Sequence, residues 1–144
     1  MFRNASLTDA PRIARMLRRF YAKSGDVFHI PWDHESVLEM IADVMQKGAC
    51  LVGDNSCAAA FFFTFPFNKS AKVAYVVFWY FERHREMKIF EALAQACLER
   101  GCTHFNPSSL WPANTIGKHY AKRGLRPTET QWLGEIACIL GQKE

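Results

Sequence analysis

The stretch ERHREMKIFEALAQACLERG, residues 82–101, follows directly on the aromatic run FWYF, and its reading decides the fold. Ile89, Leu93, Ala96 and Cys97 fall on one helical stripe, and Gly101 supplies a C-terminal stop. The stretch therefore reads as a long amphipathic helix entered straight from a strand. A strand that turns tightly into a helix leaves backbone N–H groups at the turn, a ready seat for a phosphate. Glycines usually line such a turn so that the anion can approach. Here Glu86, Lys88 and Phe90 occupy it.

On the N-terminal side, AKVAYVVFWYF (71–81) is apolar on both alternating faces, as expected of a central strand covered on both sides. CAAAFFFTF (57–65) and the short ACLV (49–52) read as its neighbours, separated by GDNS and by Pro66 with FNKS. Before them come a helix over 34–47, ended by Gly48, and a helix opened by LTDAP and stopped at Ser24-Gly25. Ile13, Met16, Leu17 and Phe20 lie at core spacing on the latter, and residues 2–6 form an opening strand. Downstream, CTHFNPSSL is a further strand, residues 113–123 a short helix, and TETQWLGEIACIL a last strand. The expected order is β-α-α-β-β-β-α-β-α-β, an α/β domain with a mixed central sheet and helices on both faces, spanning residues 1–144 as one unit.

Bulk properties narrow the function. The 144 residues suit one domain, and 49% apolar content excludes a disordered chain. The apolar runs are too short for a bilayer span, and no basic-then-apolar leader opens the sequence, so a soluble cytoplasmic protein is expected. Cys50, Cys57, Cys97, Cys102 and Cys138 form no CxxC pair and read as small core residues. The His residues have no ligand spacing, so no metal is expected. The net charge of +4 is mild. Arg12, Arg15, Arg18, Arg19 and Lys23 group together, as do the bases of GKHYAKRGLR. Solvated helix faces explain them better than a nucleic-acid surface. Phe61, Phe62, Phe63 and Phe65 exceed what one small core readily buries, which leaves a homodimer surface open.

The order of elements resembles the Gcn5-related N-acetyltransferase fold, in a small form of the kind carried by bacteria and bacteriophages. Three segments carry the resemblance: FRNASLTDAPRIARML, FWYFERHREMKIFEALAQACLERGC and ANTIGKHYAKRGLRPTETQW. The last is similar to the family's closing helix with Tyr, followed by Gly, an apolar residue and Pro. The family's R-G-x-G-x-G turn is degenerate: after Arg85, the glycine positions hold Glu86, Lys88 and Phe90. Asn114 stands six residues before Tyr120, where the family spacing is seven.

The resemblance implies an acyl-CoA-dependent N-acyltransferase using acetyl-CoA on an amine of a small molecule or protein. It implies Tyr120 as the acid for the departing thiolate, while Glu82, closing the central strand, could serve as base. The cofactor would lie along Tyr80, Phe81, Arg85, Glu86, Met87, Lys88, Ile89 and Phe90. Asn114 would contact the pantetheine arm or cap the short helix. Tyr21, Phe28, His29 and Trp32 would wall the acceptor. The missing glycines keep open a non-catalytic binding or virion-associated protein of the same fold. The basic groups and loop aromatics keep open a nucleic-acid-modifying one.

Overall fold

A computed structural model of the chain describes residues 1–24, 28–108, 115–128 and 133–141. These fall into two compact units. The larger comprises Met1–Lys23 and Trp32–Ser108, and the smaller the described residues of 24–31 and 109–141.

The larger unit is a five-stranded sheet in the order β1-β2-β3-β4-β5. Its strands are β1 (Arg3–Asn4), β2 (Ala49–Val52), β3 (Ser56–Thr64), β4 (Lys72–Phe81) and β5 (His104–Asn106). Neighbours are antiparallel except β4 and β5, which run parallel. Helices α1 (Ala10–Lys23) and α2 (His34–Lys47) cover one face, and α3 (Ile89–Glu99) covers the other. The expected mixed sheet with helices on both faces is present.

The α1 side of the core gathers Ile13, Met16 and Leu17, as their spacing requires, with Ile41 and Val44 of α2 against Cys57, Ala59, Phe78 and Tyr80. Ile89, Leu93 and Cys97 of α3 pack on Ala58, Ala60, Ala74 and Val76 from the opposite face. Asp33 caps α2 by accepting the Ser36 N–H (3.2 Å). Gly101, at φ 89°, supplies the left-handed residue that follows α3.

At the start of the chain Asp9 is buried. Its carboxylate accepts two bonds from Arg3 (2.8 Å each) and the Ser6 N–H (2.8 Å). The bonds from Arg3 hold the carboxyl well below the usual carboxylate range. A depressed folded-state value contributes stability above the unfolded value of about 3.9, and this is lost as pH falls through the folded value. Asp9→Asn is therefore expected to lower Tm at neutral pH and to flatten its acid decline. Parallel acid declines in the two proteins would refute the assignment.

The smaller unit holds α4 (Thr115–Lys122), followed by Gly124 at φ 82°, and α5 (Ile136–Ile139).

Three expectations need correction. Residues 82–101 are not one α-helix: a 3-10 helix over His84–Lys88 precedes α3. The last strand is absent where it can be seen, because Ile136–Ile139 is a helical turn; residues 129–132 lie outside the described set. Cys138 is exposed and is no core residue, whereas Cys50, Cys57, Cys97 and Cys102 are buried. Burial pushes the Cys50 and Cys97 thiols up to about 12. Of the aromatic run on β3, Phe61 and Phe62 are half-buried on opposite faces, while Phe63 and Phe65 are each 40% exposed.

Candidate active site

The site is built from β4 outward. On one side β4 pairs with β3 along its whole length, from Lys72 opposite Thr64 to Phe81 opposite Ser56. On the other it meets β5 only at Val73, Ala74 and Tyr75. β5 ends at Asn106, and beyond Tyr75 β4 has no strand partner on this side among the described residues.

The ladder with β3 also slips within β4. Ala60 faces Val76 and Ala59 faces Phe78, so Val77 is one residue too many. Side-chain directions show the consequence: Ala74 and Val76 point to the α3 face, while Phe78 and Tyr80 point to the α1 face. An inserted residue flips every later side chain and bends the strand, a device frequent beside active sites. The sequence gives no sign of it.

At its C-terminal end β4 brings three side chains together. The Tyr80 hydroxyl donates to Glu82 Oε1 (3.3 Å), and the Arg19 guanidinium bonds the same carboxylate oxygen. Burial and then the neighbouring Glu82 carboxylate raise the Tyr80 pKa. Arg19 is therefore the ionic partner of Glu82.

The turn after β4 departs from a glycine loop in a specific way. Glu86, at the first glycine position, is only 7% exposed. Its Oε1 accepts from the Asn55 N–H (2.8 Å) and from Ser56 Oγ (2.9 Å), tying the turn to the β2–β3 hairpin. Gly53 permits this approach. A Cβ there would lie 2.8 Å from Glu86 Oε1 and 2.4 Å from Ser56 Oγ. Phe90, at the third glycine position, is buried against Trp79 of β4 (centroids 4.7 Å) and Phe105 of β5 (5.2 Å). Both bulky groups thus face inward, and Ile89 is fully buried beside them. Met87 is half-buried, whereas Arg85 and Lys88 are exposed. The Glu86 N–H is already committed to the Arg83 carbonyl (2.8 Å) and the Ile89 N–H to Glu86 and Met87 carbonyls.

The other candidates are dispersed. Tyr21 and Trp32 stack at 5.5 Å, with the Arg18 guanidinium 5.2 Å from the Trp32 ring. In the smaller unit, Phe28 is half-buried and His29 is exposed with φ 54°, an uncommon conformation for a residue with a side chain. Tyr120 lies on α4 beside the buried His119, to which Arg123 donates (3.1 Å at Nδ1). Burial pushes the Tyr120 phenol up to about 12, above the ordinary tyrosine value. Asn114 lies outside the described residues. Among the described residues no cluster of His, Cys, Asp or Glu could hold a metal ion. No helix among them is long and apolar enough to cross a membrane.

Solved structures share this architecture. A predicted acetyltransferase from Clostridium acetobutylicum, solved with acetyl-CoA, superposes with a TM-score of 0.72 at 17% identity, covering 96% of this chain and 97% of its own. An aminoglycoside N-acetyltransferase in complex with CoA gives 0.71 at 16% identity, covering 96% and 95%. Glucosamine-6-phosphate N-acetyltransferase from Arabidopsis thaliana gives 0.69 at 12% identity, covering 94% and 97%. No protein-family model matches the chain, and no curated protein matches its sequence. The likeness is therefore one of fold: this chain has the Gcn5-related N-acetyltransferase architecture.

Proposed function

We propose that the protein is an acyl-CoA-dependent N-acyltransferase, with residues 1–144 acting as one domain that moves an acetyl group from acetyl-CoA to an amine. The observation that carries this reading is the stretch of β4 beyond Tyr75, which has no β5 partner among the described residues, with Val77 bulged out of the ladder beside it. A strand edge presents backbone N–H and C=O groups that an extended ligand can bond. An extended pantetheine arm has the amides to do so. Arg85 and Lys88 are exposed cations that would meet the phosphates, and the cysteines, all free, suit a reducing cytoplasm. When bound, acetyl-CoA supplies an activated acyl group and a good leaving group.

The chain supplies the rest. Backbone N–H groups at the end of β4, around Tyr80 and Phe81, would polarise the thioester carbonyl as charge develops on it. Glu82 would take the proton of the acceptor ammonium, through water, once Arg19 shifts. Tyr120 would donate to the departing thiolate. Tyr21, Phe28, His29 and Trp32 would border the acceptor, and Asn114 the pantetheine.

Acetyl-CoA is expected to raise Tm by several degrees. At a hundredfold excess over Kd a ligand of the folded form adds about 2.7 kcal/mol, and each kcal/mol is worth about 2–4 °C at this size. Absence of a shift with acetyl-CoA and with longer acyl-CoA thioesters would leave the second reading, a non-catalytic binding protein of this fold. That reading is favoured by the turn itself, where the Glu86 and Ile89 amides are used internally.

A further inference from the structure

Arg12, Arg15 and Arg19 recur along one face of α1 and, with Asn55 and Glu82, line a cavity of about 190 Å³ over Met16. The outer two arginines are fixed. Arg12 donates to the carbonyls of Gly53 (2.7 Å) and Asp54 (2.9 Å) and lies 3.6 Å from Asp9, while Arg19 pairs with Glu82. Arg15, between them, has no hydrogen bond or ion pair among the described residues. A guanidinium facing a concavity between two others is repelled by both, and an oxyanion relieves that repulsion while taking paired N–H donors. The cavity holds about six water volumes at ~30 Å³ each, room for a phosphate or a short carboxylate-bearing molecule. The cavity is also lined by the Glu82 carboxylate, whose Oε1 takes Arg19 and Tyr80 while its other oxygen has no partner among the described residues and is open to a cation.

We propose that this cavity binds a small zwitterion, a phosphate- or carboxylate-bearing amine, with its oxyanion on Arg15 and Arg12 and its ammonium toward Glu82. The inference rests on the transferase reading for what becomes of the amine, since Glu82 is the base there, but the binding itself does not need that reading. The neighbouring acidic group, Asp54, also lines the cavity and reinforces the preference for a ligand carrying both charges.

Calorimetric titration of the full chain at low salt tests it with O-phosphoethanolamine, inorganic phosphate and ethanolamine. O-phosphoethanolamine is expected to bind at least tenfold more tightly than inorganic phosphate. Arg15→Gln should weaken both at least tenfold, and Glu82→Gln should abolish the advantage of the amine. No binding, or affinity unchanged in Arg15→Gln, overturns the site. Equal affinity for the two phosphates overturns the zwitterion and leaves a free-phosphate site. The acetyl-CoA thermal shift, read in the same Arg15→Gln protein, should be unaltered. Zwitterion binding without any acetyl-CoA shift would sink the transferase reading and spare this one, and the reverse result would do the opposite.

Discussion

Phe90→Ala is expected to lower the unfolding free energy by about 3–5 kcal/mol, the range for truncating a buried phenylalanine. Its ring is 3% exposed and bridges Trp79 of β4 and Phe105 of β5. Aromatic pairs of this kind add about 0.5–1.5 kcal/mol beyond their buried area. At about 2–4 °C per kcal/mol, Tm should fall on the order of 10 °C. Phe90→Gly should cost roughly another 1 kcal/mol, because glycine is a poor residue inside a helix. A glycine at position 90 is therefore incompatible with this core. A denaturant titration with unchanged slope and a lowered midpoint would confirm the core role. Unaltered stability in Phe90→Ala would mean that the ring fills a surface notch, and the transferase reading would lose its cradle.

Glu86 follows the same logic at the first glycine position. A glutamate in a helical first turn reads from sequence as a solvated partner of the helix dipole. It is buried because Gly53 lets it reach the Asn55 N–H and Ser56 Oγ thirty residues away in sequence. The stretch GDNS announces only a turn, and no local pattern says that its donors await a carboxylate from another element. Glu86 and Phe90 thus mark a turn held by side chains: one carboxyl anchored to a hairpin and one ring sunk in the core.

Legibility varied with how local the cause was. Helix α2 and strand β2 occupy 34–47 and 49–52 as read, because the apolar spacing and the stop at Gly48 are local signals. The bulge at Val77 was not legible. VAYVVFWYF is apolar on both faces, so flipping every side chain leaves no polar residue on the wrong side. The closing segment failed for a related reason. IACIL is a short apolar run, which periodicity alone does not assign to strand or helix. Glu82 showed its position at a strand end, but its pairing with Arg19 depends on how α1 packs against the sheet. The arginine row on α1 was visible as a charged face, and only the hairpin turn opposite it makes that face concave.

Tyr120→Phe is the variant with the largest expected effect on turnover in the proposed reaction. Positioned proton donors contribute about 10²–10⁴-fold, so kcat should fall at least a hundredfold. Acyl-CoA affinity, read from the thermal shift, should change little, because only the hydroxyl is lost. The phenol, pushed up to about 12 by burial, keeps its proton across the physiological range. It is then a hydrogen-bond donor to a developing thiolate at every working pH, and its own ionisation should add no alkaline decline to the rate below pH ~11. The alkaline side of the profile should instead rise as the acceptor amine becomes neutral. A rate decline near pH 10 that disappears in Tyr120→Phe would mean the phenol titrates at its ordinary value and is not buried as described. Turnover unchanged in Tyr120→Phe would assign the proton donor elsewhere, with the neighbouring His119–Arg123 pair as the next residues to replace.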